Sequence, residues 1–269
     1  MKTWNQLFVR HGWKLEKKEE NVFDCKGETS KNIGFLMACL DRAHIPFSLK
    51  NAVLTLKSEP IHEEKWIEVL NFSQDRVRGR GGDLWFRPGE EEPKVEELDI
   101  YISGIVRQLN RLGFYTEGSC DGHENRPAHV LVTKGKDINL LVEVLLALGM
   151  KREFCRDYKQ HYHISLHLKR NELLDMAEKL SLIEDSWLEQ GHDFIKEQMF
   201  CHTLEELLSI PGASGNESKI RQVVREKITP FVDFITEDRY GNLLAEKTYG
   251  GGHGPTILLS AHLDTVFEI

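Results

Sequence analysis

An apolar segment near the end of the sequence runs into side chains that could hold and activate a metal ion. Residues 257–259 are Ile-Leu-Leu, and His262 and Asp264 follow. Alternate residues of an extended chain point to the same side, so a strand at 256–261 would place these two side chains together. Imidazole is a good zinc ligand, and a carboxylate bonded to its second nitrogen fixes its tautomer. The pattern predicts His262 as a metal ligand and Asp264 as the catalytic carboxylate that orients it, although a histidine at a strand end is, taken alone, more often structural.

A second set of potential ligands lies in the middle of the sequence. Cys120, Asp121 and His123 stand together in a Gly-Ser-Cys-Asp-Gly-His segment. Further histidines follow at positions 129, 161, 163 and 167. The even spacing of the last three predicts one face of a strand. Because no spacing matches a standard zinc pattern, we favour a tight Asp-Gly turn with a half-buried cysteine, followed by a strand with surface histidines. A small-ligand or metal site is the alternative.

The elements that must position these residues follow from the spacing of apolar residues. Helical spacing predicts helices at 98–112 and 137–148, and short apolar runs predict strands at 114–120, 129–133 and 162–168. Similar patterns predict a helix that Thr29 or Ser30 would begin and residues 44–46 would end, a strand pair within 47–57 around Lys50-Asn51, and strands at 232–237 and 243–247. A proline-bounded acidic segment at 88–97 predicts a linker. The chain is therefore expected to be α/β, with a small α/β unit at 1–90, an α+β sandwich of order α-β-β-α-β-α at 91–200, and a third part at 203–269.

Residues 203–266 carry several motifs in a fixed order. They read LEELLSIP at 204–211, GASGNE at 212–217, DRYGNL at 238–243 and HLDTV at 262–266. In content, order and spacing this part resembles the start of the co-catalytic zinc exopeptidases and deacylases. That superfamily includes peptidase T, acetylornithine deacetylase and succinyl-diaminopimelate desuccinylase.

The resemblance implies two zinc ions and hydrolysis of an amide bond, in a peptide or N-acyl amino acid substrate, by a metal-activated water. His262 would bind one zinc ion and Asp264 would orient His262. Residues 214–217 would shape the beginning of a helix rather than do chemistry, and residues 238–242 would form the turn before a strand. The third part is thereby expected to be the start of a zinc-peptidase α/β domain.

The same resemblance implies that the site is incomplete within residues 1–269. A structural or catalytic zinc site takes three or four protein ligands, and the family positions here supply one. The other ligands would follow the HLDTV segment. We therefore expect residues 1–269 to be inactive on amides, as the start of a longer enzyme or as an inactive product. An apolar strand at 256–261 without neighbours predicts disorder or a homodimer through 256–269.

Composition narrows the remaining function classes. The chain has 35 Lys and Arg against 43 Asp and Glu, a net charge of −8, which argues against a nucleic-acid partner. The Arg-Val-Arg-Gly-Arg run at 76–80 is interpreted as a solvated turn. No apolar stretch is long enough to suggest a membrane span. Five cysteines without a Cys-x-x-Cys pair, and no apolar leader, predict a reducing cytoplasm. The alternative to the hydrolase is a non-catalytic ligand-, metal- or partner-binding module in residues 1–200.

Overall fold

The structure is a computed structural model that describes residues 2–71, 93–151 and 154–265. Its helices and antiparallel sheets confirm the predicted mixed α/β class. Three predictions lie outside the described residues: the solvated turn at 76–80, the first half of the linker at 88–97, and the role of Val266 in the HLDTV motif.

The chain divides into two compact units, Met1–Lys196 and Glu197–Ile269. The division falls inside one helix, His192–Leu208, where the sequence predicts a bridging helix or linker at 181–202 and a helix at 203–209. The domain boundaries predicted near residues 90 and 200 stay predictions.

The first unit opens with three helices and a four-stranded antiparallel sheet. The elements are α1 Trp4–Arg10, β1 Glu16–Glu19, β2 Val22–Asp24, α2 Ser30–Arg42, β3 Phe47–Lys50, β4 Val53–Leu56 and α3 Glu63–Leu70. The strand order is β1-β2-β4-β3. The β3–β4 pair was predicted, and its turn residues Asn51 and Ala52 have the positive φ of a tight hairpin turn. Strands β1 and β2 were not predicted, because exposed Glu-Lys-Lys-Glu in β1 shows no apolar alternation.

Aromatic side chains form the centre of this half. Trp4, Trp13 and Trp66 are fully buried, and Phe8 contacts all three rings. The indole nitrogens of Trp4 and Trp13 donate to the carbonyl oxygens of Ser58 and Asn32. Large aromatic side chains contribute most of the buried apolar surface of such a core, so they hold α1 and α3 over the sheet.

The second half of the first unit is an α+β layer. Its elements are α4 Ser103–Arg111, β5 Thr116–Cys120, β6 Ala128–Thr133, α5 Ile138–Ala147, β7 Cys155–Asp157, β8 His161–Leu166 and α6 Arg170–Ser181. The sheet is antiparallel with the order β5-β6-β8-β7. Strand β7 was not predicted. Helix α4 begins at Ser103, later than the predicted 98–112, and a short 3₁₀ turn at Val95–Glu97 precedes it.

Helices α1, α4 and α6 meet at a glycine. An added Cβ on Gly104 would lie 2.4 Å from the carbonyl oxygen of Arg10 and 2.5 Å from the Cβ of Ala177. Neither neighbour can move without shifting a helix backbone. The close approach of the three helices therefore depends on the missing side chain at position 104.

Gly104→Ala should lower the free energy of unfolding by about 3 kcal/mol, because the new methyl group overlaps backbone atoms. The matched control is Gly34→Ala in α2, where an added Cβ meets nothing within 4 Å. That change should raise stability by about 0.5–1 kcal/mol through helix propensity. Urea denaturation of both variants measures the difference, and equal effects of the two substitutions would contradict the close approach.

The second unit holds the end of the chain. Its elements after the long helix α7 His192–Leu208 are α8 Ser218–Ile228, β9 Phe234–Glu237 and β10 Leu243–Glu246. Strands β9 and β10 form an antiparallel hairpin, and both were predicted. The third predicted strand, at 256–261, is wrong: these residues form no strand, and Ile257, Leu258 and Leu259 are 81–89% exposed. A strand needs a neighbour for its backbone hydrogen bonds, and the described residues provide none there.

Within the described ranges, no helix combines the length and the apolar character needed to cross a lipid bilayer.

Candidate functional site

The predicted His262–Asp264 pair forms in the second unit. The Nδ1 atom of His262 lies 3.4 Å from Oδ1 of Asp264. The imidazole is 95% exposed, and its carboxylate neighbour is 34% exposed. With Nδ1 beside a carboxylate, Nε2 is the nitrogen left to face a ligand. The pair is therefore open to solvent and arranged as a histidine oriented by an aspartate.

A serine far away in the sequence holds the same carboxylate. The hydroxyl of Ser214 donates to Oδ2 of Asp264 at 2.6 Å, so the two oxygens of the carboxylate face different partners. This hydrogen bond, with the neighbouring His262, keeps the pKa of Asp264 below its ordinary value. Asp264 therefore stays ionised, which is the form that can orient an imidazole and favour its binding to a cation.

The loop that presents Ser214 is joined to the segment after His262 by its backbone. The amide of Thr265 donates to the carbonyl oxygen of Gly212 at 2.7 Å. A Cβ on Gly212 would lie 3.0 Å from Cγ2 of the buried Ile220 in α8 and 3.4 Å from the carbonyl oxygen of Leu263. The GASGNE segment thus packs the loop between α8 and the HLDT residues.

The DRYGNL and GASGNE motifs form the local structures expected of them. Residues 238–242 form the turn between β9 and β10, in which both carboxylate oxygens of Asp238 accept hydrogen bonds from Asn242. Glu217 precedes α8 and lies 3.4 Å from Arg221, so the segment does shape the start of that helix. Sequence reasoning missed the bond from Ser214 to Asp264, because it joins residues 50 positions apart and has no local signal.

The second candidate set, Cys120, Asp121 and His123, lies where β5 ends. The thiol of Cys120 is buried, accepts a hydrogen bond from the amide of Gly122 at 3.4 Å, and has its pKa raised by burial. His123 is exposed and pairs through its backbone with Arg126. The three side chains thus lie in different surroundings, which matches the favoured Asp-Gly turn. The prediction that Cys120 is half-buried is wrong, because it is only 3% exposed. A Cβ on Gly122 would lie 2.5 Å from the amide nitrogen of Ala128, so the turn requires glycine.

Asp121 is held against the segment that leads into α4. Its Oδ2 accepts a hydrogen bond from the amide of Tyr101 at 3.2 Å, and its own amide donates to Oδ2 of Asp99 at 3.1 Å. Burial, with the charge of Asp99 close by, raises the pKa of Asp121 to about 7. Asp121 therefore connects β5 to the start of α4, and sequence reasoning did not identify its partner Asp99.

The raised pKa predicts how stability depends on pH. The pKa is near 3.8 for an ordinary aspartate and about 7 here, so the folded chain binds more protons between these values. Stability contributed by this group therefore falls as pH rises from about 4 to 7. Asp121→Asn should remove that fall in urea denaturation at pH 5, 6, 7 and 8. Asp41→Asn, on the exposed side of α2, should keep the wild-type profile; a parallel profile for Asp121→Asn would contradict the prediction.

Three of the histidines noted in the sequence share one face of the second sheet. Cys120, His129 and Ser165 lie opposite one another on β5, β6 and β8. His163 and His161 follow on the same face of β8, because their β6 partners, Leu131 and Thr133, lie on the face of His129. The prediction for His167 is wrong, since β8 ends at Leu166 and His167 is exposed beyond it.

Among residues 2–71, 93–151 and 154–265, no group of three or more His, Cys, Asp or Glu side chains is placed to hold a metal ion. Within these ranges the HLDT pair contributes one imidazole and its orienting carboxylate.

Comparison with known proteins gives a relative that matches part of the chain. A segment of 71 residues is 41% identical to a protein of Acetivibrio thermocellus that carries the name "Putative aminopeptidase". The segment is 26% of this chain and 20% of that protein, so the chain matches about a fifth of the relative's length. No model of a known protein family matches the chain. No solved structure matches it either. The comparisons therefore relate part of the chain to part of an aminopeptidase-named protein.

Proposed function

We propose that this chain contributes to a zinc-dependent hydrolase that cleaves amide bonds in peptides or N-acyl amino acids. The observation that supports it most is the line of contacts from Ser214 through Asp264 to His262. It gives the HLDT motif the arrangement of a zinc ligand with an orienting carboxylate. The relative with an aminopeptidase name supports the same class.

The side chains fit the role assigned to them. Zinc is bound by neutral imidazole, and a carboxylate on the other ring nitrogen keeps that tautomer and raises the basicity of the ligand. Ser214 keeps the carboxylate in place and ionised, because it donates to the oxygen that faces away from His262. The exposed imidazole leaves room for further ligands and for substrate.

When bound, zinc would act as a Lewis acid and lower the pKa of a water molecule. The described residues supply His262 to bind it and Asp264 to orient His262. The second zinc ion, the remaining ligands, the general base and the cytoplasmic location are parts of the proposal that rest on the resemblance and on composition.

The test is a hydrolysis assay on the longest product of the gene. Dipeptides and N-acetyl amino acids are the substrates, and activity is followed before chelation, after chelation and after zinc is restored. The proposal expects turnover that chelation abolishes and zinc restores, with none from residues 1–269. A product that binds no zinc, or turnover that stays the same after chelation, would contradict the proposal.

The second candidate function is a binding module in the first unit. It is favoured by the polar sheet face that holds His129 and His163, whose side chains have no part in the proposed hydrolase. A reading frame that closes directly after Ile269 would favour this candidate for the product described here.

A further inference from the structure

The guanidinium group of Arg221, on α8, lies among the motifs that precede His262 in the sequence. Its Nη1 atom donates to Oε1 of Glu237 on β9 at 3.2 Å, and its Nη2 atom donates to Oε2 of Glu217 at 3.4 Å. The side chain is 19% exposed. A single guanidinium group therefore joins the residue that precedes α8 to the first strand of the hairpin.

The same guanidinium group packs against the turn between β9 and β10. An added Cβ on Gly241 would lie 2.4 Å from Nη2 and 2.8 Å from Cζ of Arg221. Gly241 also has a φ of 85°, a conformation that residues with a Cβ adopt only at a cost. The glycine of the DRYGNL motif thus makes room for Arg221, and the turn in return limits where the guanidinium group can lie.

Glu217 connects this guanidinium group to the loop that presents Ser214. Its Oε1 accepts a hydrogen bond from the amide of Gly215 at 2.5 Å, while its Oε2 faces the guanidinium group. The amide of Asn216 donates to the carbonyl oxygen of Ala213 at 2.8 Å and closes the turn. The carboxylate of Glu217 therefore holds the backbone directly after Ser214.

The turn leads to the proposed zinc ligand. The hydroxyl of Ser214 donates to Oδ2 of Asp264, and the amide of Thr265 donates to the carbonyl oxygen of Gly212. Oδ1 of Asp264 lies beside Nδ1 of His262. Contacts therefore lead from the guanidinium group on α8, through the turn, to the imidazole.

The imidazole of His262 is 95% exposed, so packing does not fix it. Its direction depends on the carboxylate beside it and on the groups that hold this carboxylate in place. We propose that Arg221 and Glu217 are positioning residues, which fix the turn carrying Ser214 and thereby direct Asp264 and His262 toward the zinc ion. This inference rests on the proposed function, because it assigns further residues to the same site.

The test is NMR of residues 1–269 without metal, at one fixed pH of about 8. Correlations between the ring protons and nitrogens report which nitrogen of His262 carries the proton, and His262→Ala identifies the signal. An ionised Asp264 beside Nδ1 favours the tautomer with the proton on Nδ1. Hydrogen exchange of the Thr265 amide measures separately whether the HLDT segment stays on the loop.

Arg221→Gln and Glu217→Ala should each lower the ratio of the Nδ1–H to the Nε2–H tautomer about threefold, less than loss of the orienting carboxylate itself. Each should speed exchange of the Thr265 amide about tenfold, because the loop opens more often. Glu217→Gln keeps an oxygen for the amide of Gly215 and should recover about half of the effect, since a neutral acceptor forms a weaker hydrogen bond than a charged one.

Arg225→Gln is the matched control. Arg225 lies one turn further along α8 and its Nη2 donates to the other oxygen of Glu237 at 2.6 Å, but it is placed away from the loop of Ser214. Its replacement removes the same charge from the same helix, and it should leave the tautomer ratio and the exchange rate within about 1.5-fold.

Two results would overturn the positioning role and leave the pair of the proposed function intact. One is a wild-type tautomer ratio and exchange rate in both Arg221→Gln and Glu217→Ala, and the other is an equal change in Arg225→Gln. Thermal unfolding and the amide signals of α8 and β9 confirm that each variant is folded. If wild type and Asp264→Asn share one tautomer ratio, the pair itself does not form, which overturns the proposed function together with this inference.

Discussion

Glu28→Ala should lower the free energy of unfolding of the first unit by about 3–5 kcal/mol, the usual cost of leaving one partner of a buried ion pair alone. Both carboxylate oxygens of Glu28 accept hydrogen bonds from Nη2 of Arg107, at 2.6 and 2.7 Å. Neither side chain is exposed to solvent. Burial opposes the charge of Glu28, but Arg107 and neighbouring N–H donors outweigh it and hold its pKa below the ordinary value.

The ion pair also forms hydrogen bonds with backbone groups on both sides of it. Glu28 accepts the amides of Lys14 and Thr29, while Arg107 donates to the carbonyl oxygens of Gly12 and Pro93. Replacing both charges by Leu and Met should therefore not restore stability, because these backbone groups would lose their partners.

Urea denaturation of Glu28→Ala, of the Leu and Met double variant and of Glu16→Ala provides the measurement. Glu16 forms an exposed ion pair with Lys18 on β1, and its loss should cost less than about 0.5 kcal/mol. A Glu28→Ala variant as stable as Glu16→Ala, or full recovery in the double variant, would show that the buried pair does not hold this region together.

His262→Ala should abolish zinc-dependent hydrolysis in a product that carries the remaining ligands, because it removes the imidazole proposed to bind zinc. Asp264→Asn should keep the fold and lower the rate or the zinc affinity about 10–100-fold, as expected for the loss of an orienting carboxylate. Ser214→Ala should act in the same direction but more weakly, since it leaves the carboxylate and removes one neutral donor.

Zinc content by elemental analysis and turnover on a dipeptide are the two measurements, made on the same preparations. His253→Ala is the matched control, because His253 is also an exposed histidine of the second unit and lies in the glycine-rich segment before the motif. It should leave both quantities unchanged. Wild-type turnover in His262→Ala would show that the HLDTV resemblance is coincidental.

The sequence by itself determined the features that depend on residues close together along the chain. Helical spacing of apolar residues located α2 and α5, and the alternation of residues 47–57 predicted the β3–β4 pair. The two-residue spacing placed His262 beside Asp264, because the distance between such side chains depends on only one intervening residue. The Asp-Gly turn after Cys120 was equally local, since only glycine fits that backbone.

Only the tertiary structure decided the contacts between distant segments. Ser214 meets Asp264 across 50 residues, and Arg107 meets Glu28 across 79. The face of the second sheet that carries Cys120, His129, His163 and Arg156 combines residues of four strands, whose register no single segment specifies. The strand predicted at 256–261 was wrong for the same reason: its apolar sequence permits an extended strand, but a strand also needs a partner's backbone, and that partner is a property of the whole fold.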